Sequence, residues 1–182
     1  MLQRTRPTGV AAFNHNDKTM AKKPDLRDPL QLLAFGFGSG LAPRAPGTFG
    51  SLAALLLFPL LALLTLPAYL AVVAVAAIAG GPICGHAARA LDVHDDGRIV
   101  WDEFAGQWLA LAPLVPVLEW TPASLLWLVA GFGLFRLFDI AKPWPIGYLD
   151  RKVHGGVGIM LDDLLAGVVA AVALLLLQRV AG

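Results

Sequence analysis

Apolar positions in this chain fall into long uninterrupted blocks, and the polar ones gather in the short segments between them. No Asp, Glu, Lys or Arg occurs from residue 51 to residue 88, and between residues 104 and 135 Glu119 is the one such side chain. About 20 apolar residues suffice for a helix to cross a hydrocarbon core, so blocks of this length predict membrane spans. The first block is too long for one span, and Pro67 marks a turn that splits it into helices over residues 52–65 and 69–88. A second hairpin is predicted from residues 101–118 and 124–140, joined by a turn over residues 119–122 that contains Pro122. A last run over residues 164–177 opens with Asp162 and Asp163 and closes at Gln178 and Arg179. The pattern predicts an all-α, polytopic membrane helix bundle of about five transmembrane helices, or four if residues 52–65 are re-entrant.

Composition agrees. Hydrophobic residues make up 57% of the 182 and charged ones only 15%, whereas charged residues are about a quarter of a soluble globular domain. A formal net charge of +1 excludes the concentrated basic surface that nucleic-acid binding requires. The single Cys84 sits in an apolar run and reads as a small buried hydrophobe. Residues 1–28 are polar, carry Arg4, Arg6, Lys18, Lys22, Lys23 and Arg27, and lack the apolar core of a secretory signal. They are expected to form a disordered cytoplasmic tail ahead of one membrane-embedded domain over residues 29–182.

Each hairpin returns the chain to the side it left, so segments 29–50, 89–103 and 136–163 are expected on one face. They hold Arg44, Arg89, Arg98, Arg136, Lys142, Arg151 and Lys152, while the opposite turns hold no Lys or Arg. The positive-inside rule assigns that face to the cytoplasm, with Arg179 as the exception. Trp101, Trp108 and Trp144 are candidates for the membrane interface, although each fits equally well inside the bundle.

The chemistry resides in three acidic or mixed clusters on the same face: Asp102 with Glu103, Arg136 with Asp139 and Lys142, and Asp162 with Asp163. Ionisable groups at membrane helices are costly unless paired or solvated. One such pair is explained as a dipole partner in a helix's first turn; three clusters on one face point to a site. Carboxylates suit Mg²⁺, which is held by a few of them together with phosphate and water. Arg136 and Lys142 can then hold phosphate oxygens. The segment from Gly36 to Ser51 is rich in Gly and Pro and offers converging amides plus Ser39, Arg44, Thr48 and Ser51 as a phosphate cradle. The alternative is a plain loop with Thr48 or Ser51 as helix N-cap. His154, in a glycine loop, reads either as a surface residue or as a carrier of a proton to a leaving alkoxide, and His94, Asp95 and Asp96 stand a few residues before Asp102 in a segment whose Asp95-Asp-Gly97 reads equally well as a turn.

Five stretches together resemble the phosphatidylglycerophosphatase A family of bacterial membrane enzymes: Gly36 to Pro43, Pro46 to Ser51, Ile99 to Gly106 with its Trp-Asp-Glu, Phe135 to Ile146 with its Arg-x-x-Asp, and Val153 to Asp163. The resemblance implies Mg²⁺-dependent hydrolysis of phosphatidylglycerophosphate, a phospholipid substrate, to phosphatidylglycerol and inorganic phosphate. It further implies a multi-pass protein of the bacterial cytoplasmic (inner) membrane whose cytoplasmic loops form the site. On that basis Glu103, Asp139 and Asp163 are expected to hold the metal, Asp162 or Asp102 to orient the attacking water, and Arg136 and Lys142 to neutralise the phosphate. The alternatives are a broader lipid phosphomonoesterase and, in a different class, a small membrane transporter, which would carry its charges near mid-helix. Small residues at Gly131, Gly133, Ala166 and Gly167 permit close helix contact within one chain or between two, so the oligomeric state is not readable.

Overall fold

The computed structural model describes residues 22–92, 96–119, 121–150, 152–153 and 155–181. The described residues form helices α1 (Pro29–Ala34), α2 (Pro46–Leu61), α3 (Leu66–Leu91), α4 (Trp101–Leu111), α5 (Pro122–Ala141), α6 (Ile146–Asp150) and α7 (Gly155–Ala181), with 3₁₀ turns at Gly36–Leu41 and Ala112–Leu114. Helices α3, α5 and α7 are long and apolar enough to cross a membrane by length and composition. The other two expected spans are the shorter α2 and α4.

Proline explains most of the boundary differences. Pro46, Pro67 and Pro122 all fall within the first two positions of their helices, where the missing N–H is no loss. Pro67 therefore opens α3 and the turn precedes it, at residues 62–65. Thr121 caps α5 by accepting from the Ser124 amide at 3.3 Å. The span expected over residues 101–118 stops being α-helical at Leu111 because Pro113 and Pro116 cannot continue the ladder. The largest difference is in α7, which begins at Gly155. Asp162 and Asp163 were expected in its first turn; Asp163 lies eight residues after Gly155, more than two turns inside the helix.

The short helix α4 packs on α2, α3, α5 and α7. Trp101, Phe104 and Trp108 recur at helical spacing and form one stripe, with ring centroids 5.8 Å apart for Trp101 and Phe104 and 5.6 Å for Phe104 and Trp108. Their polar atoms are satisfied inside the bundle. Trp101 Nε1 donates to the Ala76 carbonyl of α3 at 3.1 Å and Trp108 Nε1 to the Ala54 carbonyl of α2 at 2.9 Å. Trp108's own carbonyl accepts from Tyr69 at 2.6 Å. Of the three tryptophans considered for the membrane interface, Trp101 and Trp108 are therefore core residues, and Trp144 is 84% exposed. A broken, 11-residue helix is tolerated at membrane depth because protein surrounds it.

On its other side α4 meets α7 through paired glycines. A Cβ on Gly106 would meet Phe135 at 2.6 Å and the Asp163 carbonyl at 2.7 Å, and one on Gly167 would meet the Gly106 carbonyl at 2.5 Å. The small residues Ala166 and Gly167 thus serve a contact within one chain. This crossing brings two similar stretches, Asp102-Glu-Phe-Ala-Gly106 and Asp163-Leu-Leu-Ala-Gly167, side by side. Residues 22–28 precede α1, and Asp28 caps it, accepting from Leu30 N at 2.9 Å. Asp28 Oδ2 also lies 2.6 Å from His86 Nε2 of α3, and that partnership pulls the Asp28 carboxyl down to about 2.

Candidate active site

The first turn of α4 supplies Asp102 and Glu103, the interior of α7 supplies Asp162 and Asp163, and the last two turns of α5 supply Arg136 and Asp139, with Lys142 as the cap. The Gly106–Gly167 contact positions the first two groups, because without side chains there the two helices approach closely enough for their acids to meet. One carboxylate oxygen each from Asp102, Glu103 and Asp163 lies within 4.8 Å of the others. Asp102 Oδ1, Glu103 Oε2 and Asp163 Oδ2 are buried and find no hydrogen-bond partner among the described residues. Three converging carboxylates, each with a buried oxygen that finds no partner among the described residues, fit a hard divalent cation, whose ligands are oxygens.

Beside this trio stands Arg136, with Nη1 2.5 Å from Asp139 Oδ2 one turn along α5 and 3.3 Å from Ser51 Oγ of α2. Ser51 in turn donates to the Gly47 carbonyl at 2.9 Å. The guanidinium is therefore held from two helices, and its Nε is buried without a partner among the described residues. Gly47, in the first turn of α2, sits so close to Glu103 that an added Cβ would collide with Oε1, and it would meet Arg136 Nη1 at 3.4 Å. The α2 N-terminus, with its positive dipole end, thus faces the acids. On the far side, Lys142 Nζ lies 2.5 Å from Asp162 Oδ2.

Asp102 joins Glu103 and Asp163 in the carboxylate trio, and Asp139 is paired with Arg136. Ser51 is at the site through Arg136. Ser39 donates to the Gly36 carbonyl at 2.8 Å within its own 3₁₀ turn, Arg44 is exposed, and Thr48 is half-buried in the first turn of α2. Neither Thr48 nor Ser51 caps α2; its N-cap is Ala45, which has no side-chain bond to give. His154, His94 and Asp95 lie outside the described residues, and Asp96 pairs with Arg98 at 2.6 Å. Sequence reasoning overlooked Gln107, fully buried one turn after Glu103 with both amide atoms unpartnered among the described residues. Its spacing of four from Glu103, inside an apolar block, was the available signal. A cavity of about 560 Å³ between Pro116, Trp127 and Arg179 contains none of these groups.

The phosphatidylglycerophosphatase A family model matches residues 32–178. Phosphatidylglycerophosphatase A of Escherichia coli (strain K12) is 47% identical over 146 residues, covering 80% of this chain and 81% of the relative. Phosphatidylglycerophosphatase A of Haemophilus influenzae is 46% identical over 158 residues, covering 86% of this chain and 93% of the relative. A relative from Bacteroides thetaiotaomicron, provisionally named a phosphatidylinositol-3-phosphatase, is 35% identical over 155 residues, or 83% of this chain and 94% of its own. No solved structure matches the chain.

Proposed function

Because the chain belongs to the phosphatidylglycerophosphatase A family, we propose that it hydrolyses the phosphomonoester of phosphatidylglycerophosphate to phosphatidylglycerol and inorganic phosphate. The observation that carries the reading is the trio of buried carboxylates from two helices, with oxygens within 4.8 Å of one another, beside a guanidinium held by Asp139 and Ser51. Asp102, Glu103 and Asp163 are assigned to hold Mg²⁺. Bound there, the ion would neutralise phosphate oxygens and orient water at the site.

The remaining steps fall to the chain's own groups. Arg136, fixed at Nη1, presents its unpartnered Nε to a phosphate oxygen, and Lys142 supplies a second cation. Asp162, next to Asp163 and outside the trio, takes the proton of the attacking water as the new O–P bond forms. His154 is assigned the proton that the leaving glycerol alkoxide accepts as the ester O–P bond breaks. Asp139 acts through Arg136, and the α2 amides near Gly47 add donors to the phosphate. The site is assigned to the cytoplasmic side of a bacterial inner membrane, since the segments that build it carry the chain's excess of Lys and Arg.

Incubating the purified protein with phosphatidylglycerophosphate should release phosphate with Mg²⁺ and not with excess chelator. Absence of release in Mg²⁺ defeats the assignment. Phosphatidylinositol 3-phosphate, tested alongside, measures headgroup selectivity, and comparable turnover of both would establish a broader lipid phosphomonoesterase.

A further inference from the structure

A cleft of about 470 Å³ is bounded by Gly36, Phe37 and Ser39 of the 3₁₀ turn, Ala53, Leu56 and Leu57 of α2, and Phe104 of α4. Its size lies within the roughly 300–1,000 Å³ of small-molecule sites, and Ser39 is its one polar side chain. Three observations assign an occupant. The first is position: Phe104 follows Glu103 in α4, and the α2 residues that line the cleft come six to ten residues after Gly47, the residue in contact with Glu103. At 1.5 Å per residue the cleft therefore runs roughly 9–15 Å deeper along α2 than the acids, the direction in which acyl chains lie relative to a headgroup.

The second is that the cleft is open on its flank. Leu56 is 71% exposed and Phe37 57%, so its outer wall is left uncovered by the other described helices. The third is the conformation of Phe37. It is held at φ 56°, a left-handed backbone that is unfavourable for a bulky aromatic residue, and its ring lies 6.3 Å from that of Phe104. The 3₁₀ turn thus keeps a large apolar ring on the rim of the cleft at a cost in backbone energy, which points to a ligand-facing role.

We propose that this cleft holds an acyl chain of the lipid whose phosphate lies at the carboxylate trio, so that the enzyme draws its substrate sideways from the bilayer and measures its apolar part as well as its headgroup. The inference rests on the phosphatase reading of the site, and two measurements separate the two. An Ala53→Cys variant places a thiol in the cleft, with wild-type protein, whose only cysteine is the buried Cys84, as control. Maleimide labelling should be slowed about ten-fold by dioleoyl phosphatidic acid in mixed micelles, but not by glycerol 3-phosphate or dioleoyl phosphatidylcholine; ten-fold corresponds to a difference of roughly two buried methylenes. Equal labelling with and without phosphatidic acid, or equal slowing by phosphatidylcholine, overturns the proposal whether or not the protein turns over any substrate. In turnover, Leu56→Trp, which fills the cleft, should lower kcat/KM for dioleoyl phosphatidylglycerophosphate about ten-fold more than for the dihexanoyl form. Equal losses for both also overturn it. Failure of wild-type protein to release phosphate from either lipid removes the phosphatase reading, while the labelling result still decides the cleft.

Discussion

Glu103 has three neighbours that give it work beyond solvation: the carboxylates of Asp102 and Asp163, and the backbone of Gly47 at the start of α2. An acid in the first turn of a helix is ordinarily a dipole partner, and that explanation covers Asp102 and Glu103 but not Asp163, which lies deep in α7. Glu103→Gln and Asp163→Asn each remove charge from the trio with little change of shape. Each is expected to reduce phosphate release by at least about 100-fold, in line with losses on removing single groups that stabilise transition-state charge. Helicity by circular dichroism and elution as a folded species should be retained, because neutralising one of three neighbouring carboxylates relieves repulsion in the free protein. Near-normal turnover in both variants would remove the trio from the chemistry. Most of these residues were legible as sequence, since acids are rare in an apolar chain. Their grouping was not: Asp102 and Asp163 are 61 positions apart, and only the close crossing of α4 and α7 brings them together.

At the level of elements, the decisive feature is that α4 and α7 touch backbone to backbone at Gly106 and Gly167. A methyl group on Gly106 would press on both Phe135 and the Asp163 carbonyl, which belong to different helices and cannot both yield easily. Gly106→Ala is predicted to destabilise the folded protein by about 1–3 kcal/mol, the usual cost of overpacking, read as a lowered Tm in detergent. Activity should fall with it, because moving α7 outward moves Asp163 away from Asp102. A variant with unchanged Tm would show that the crossing has slack. Apolar blocks announced these helices well, with α3 and α5 close to their expected positions and the last apolar run inside α7. The start of α7 was misread because Gly155, Gly156 and Gly158 resemble a loop. In the structure glycine there permits contact: a Cβ on Gly156 would meet Gly85 N at 2.7 Å, so α3 and α7 pack tightly where sequence composition suggests a break.

On the scale of the whole molecule, the N-terminal ends of α2 and α4 and the C-terminal end of α5 meet on one side of the bundle, as the Arg136–Ser51 contact and the close approach of Gly47 to Glu103 show. The hairpin logic thus survives even though α4 is only 11 residues long. It makes a topological prediction. In inside-out membrane vesicles, a cysteine at Gly97→Cys, on the site's side, should react with an impermeant maleimide, while one at Glu119→Cys, in the opposite turn, should be protected until the membrane is permeabilised. Equal reactivity of both would overturn the arrangement of hairpins, and the reverse pattern would place the site on the other face of the membrane.

Periodicity and charge rarity were sufficient to specify a helical membrane protein, the approximate spans and the set of ionisable groups, because burying a charge or ending a span in lipid carries a penalty that local sequence must respect. Proximity is a different matter. Which acids face one another, that Asp139 pairs with Arg136 and Asp102 joins Glu103 and Asp163, that two tryptophans are core, and that an apolar cleft opens between α2, Phe104 and the 3₁₀ turn all follow from how closely particular helices cross. That distance is set by glycines whose partners are remote in the chain, so no local pattern records it.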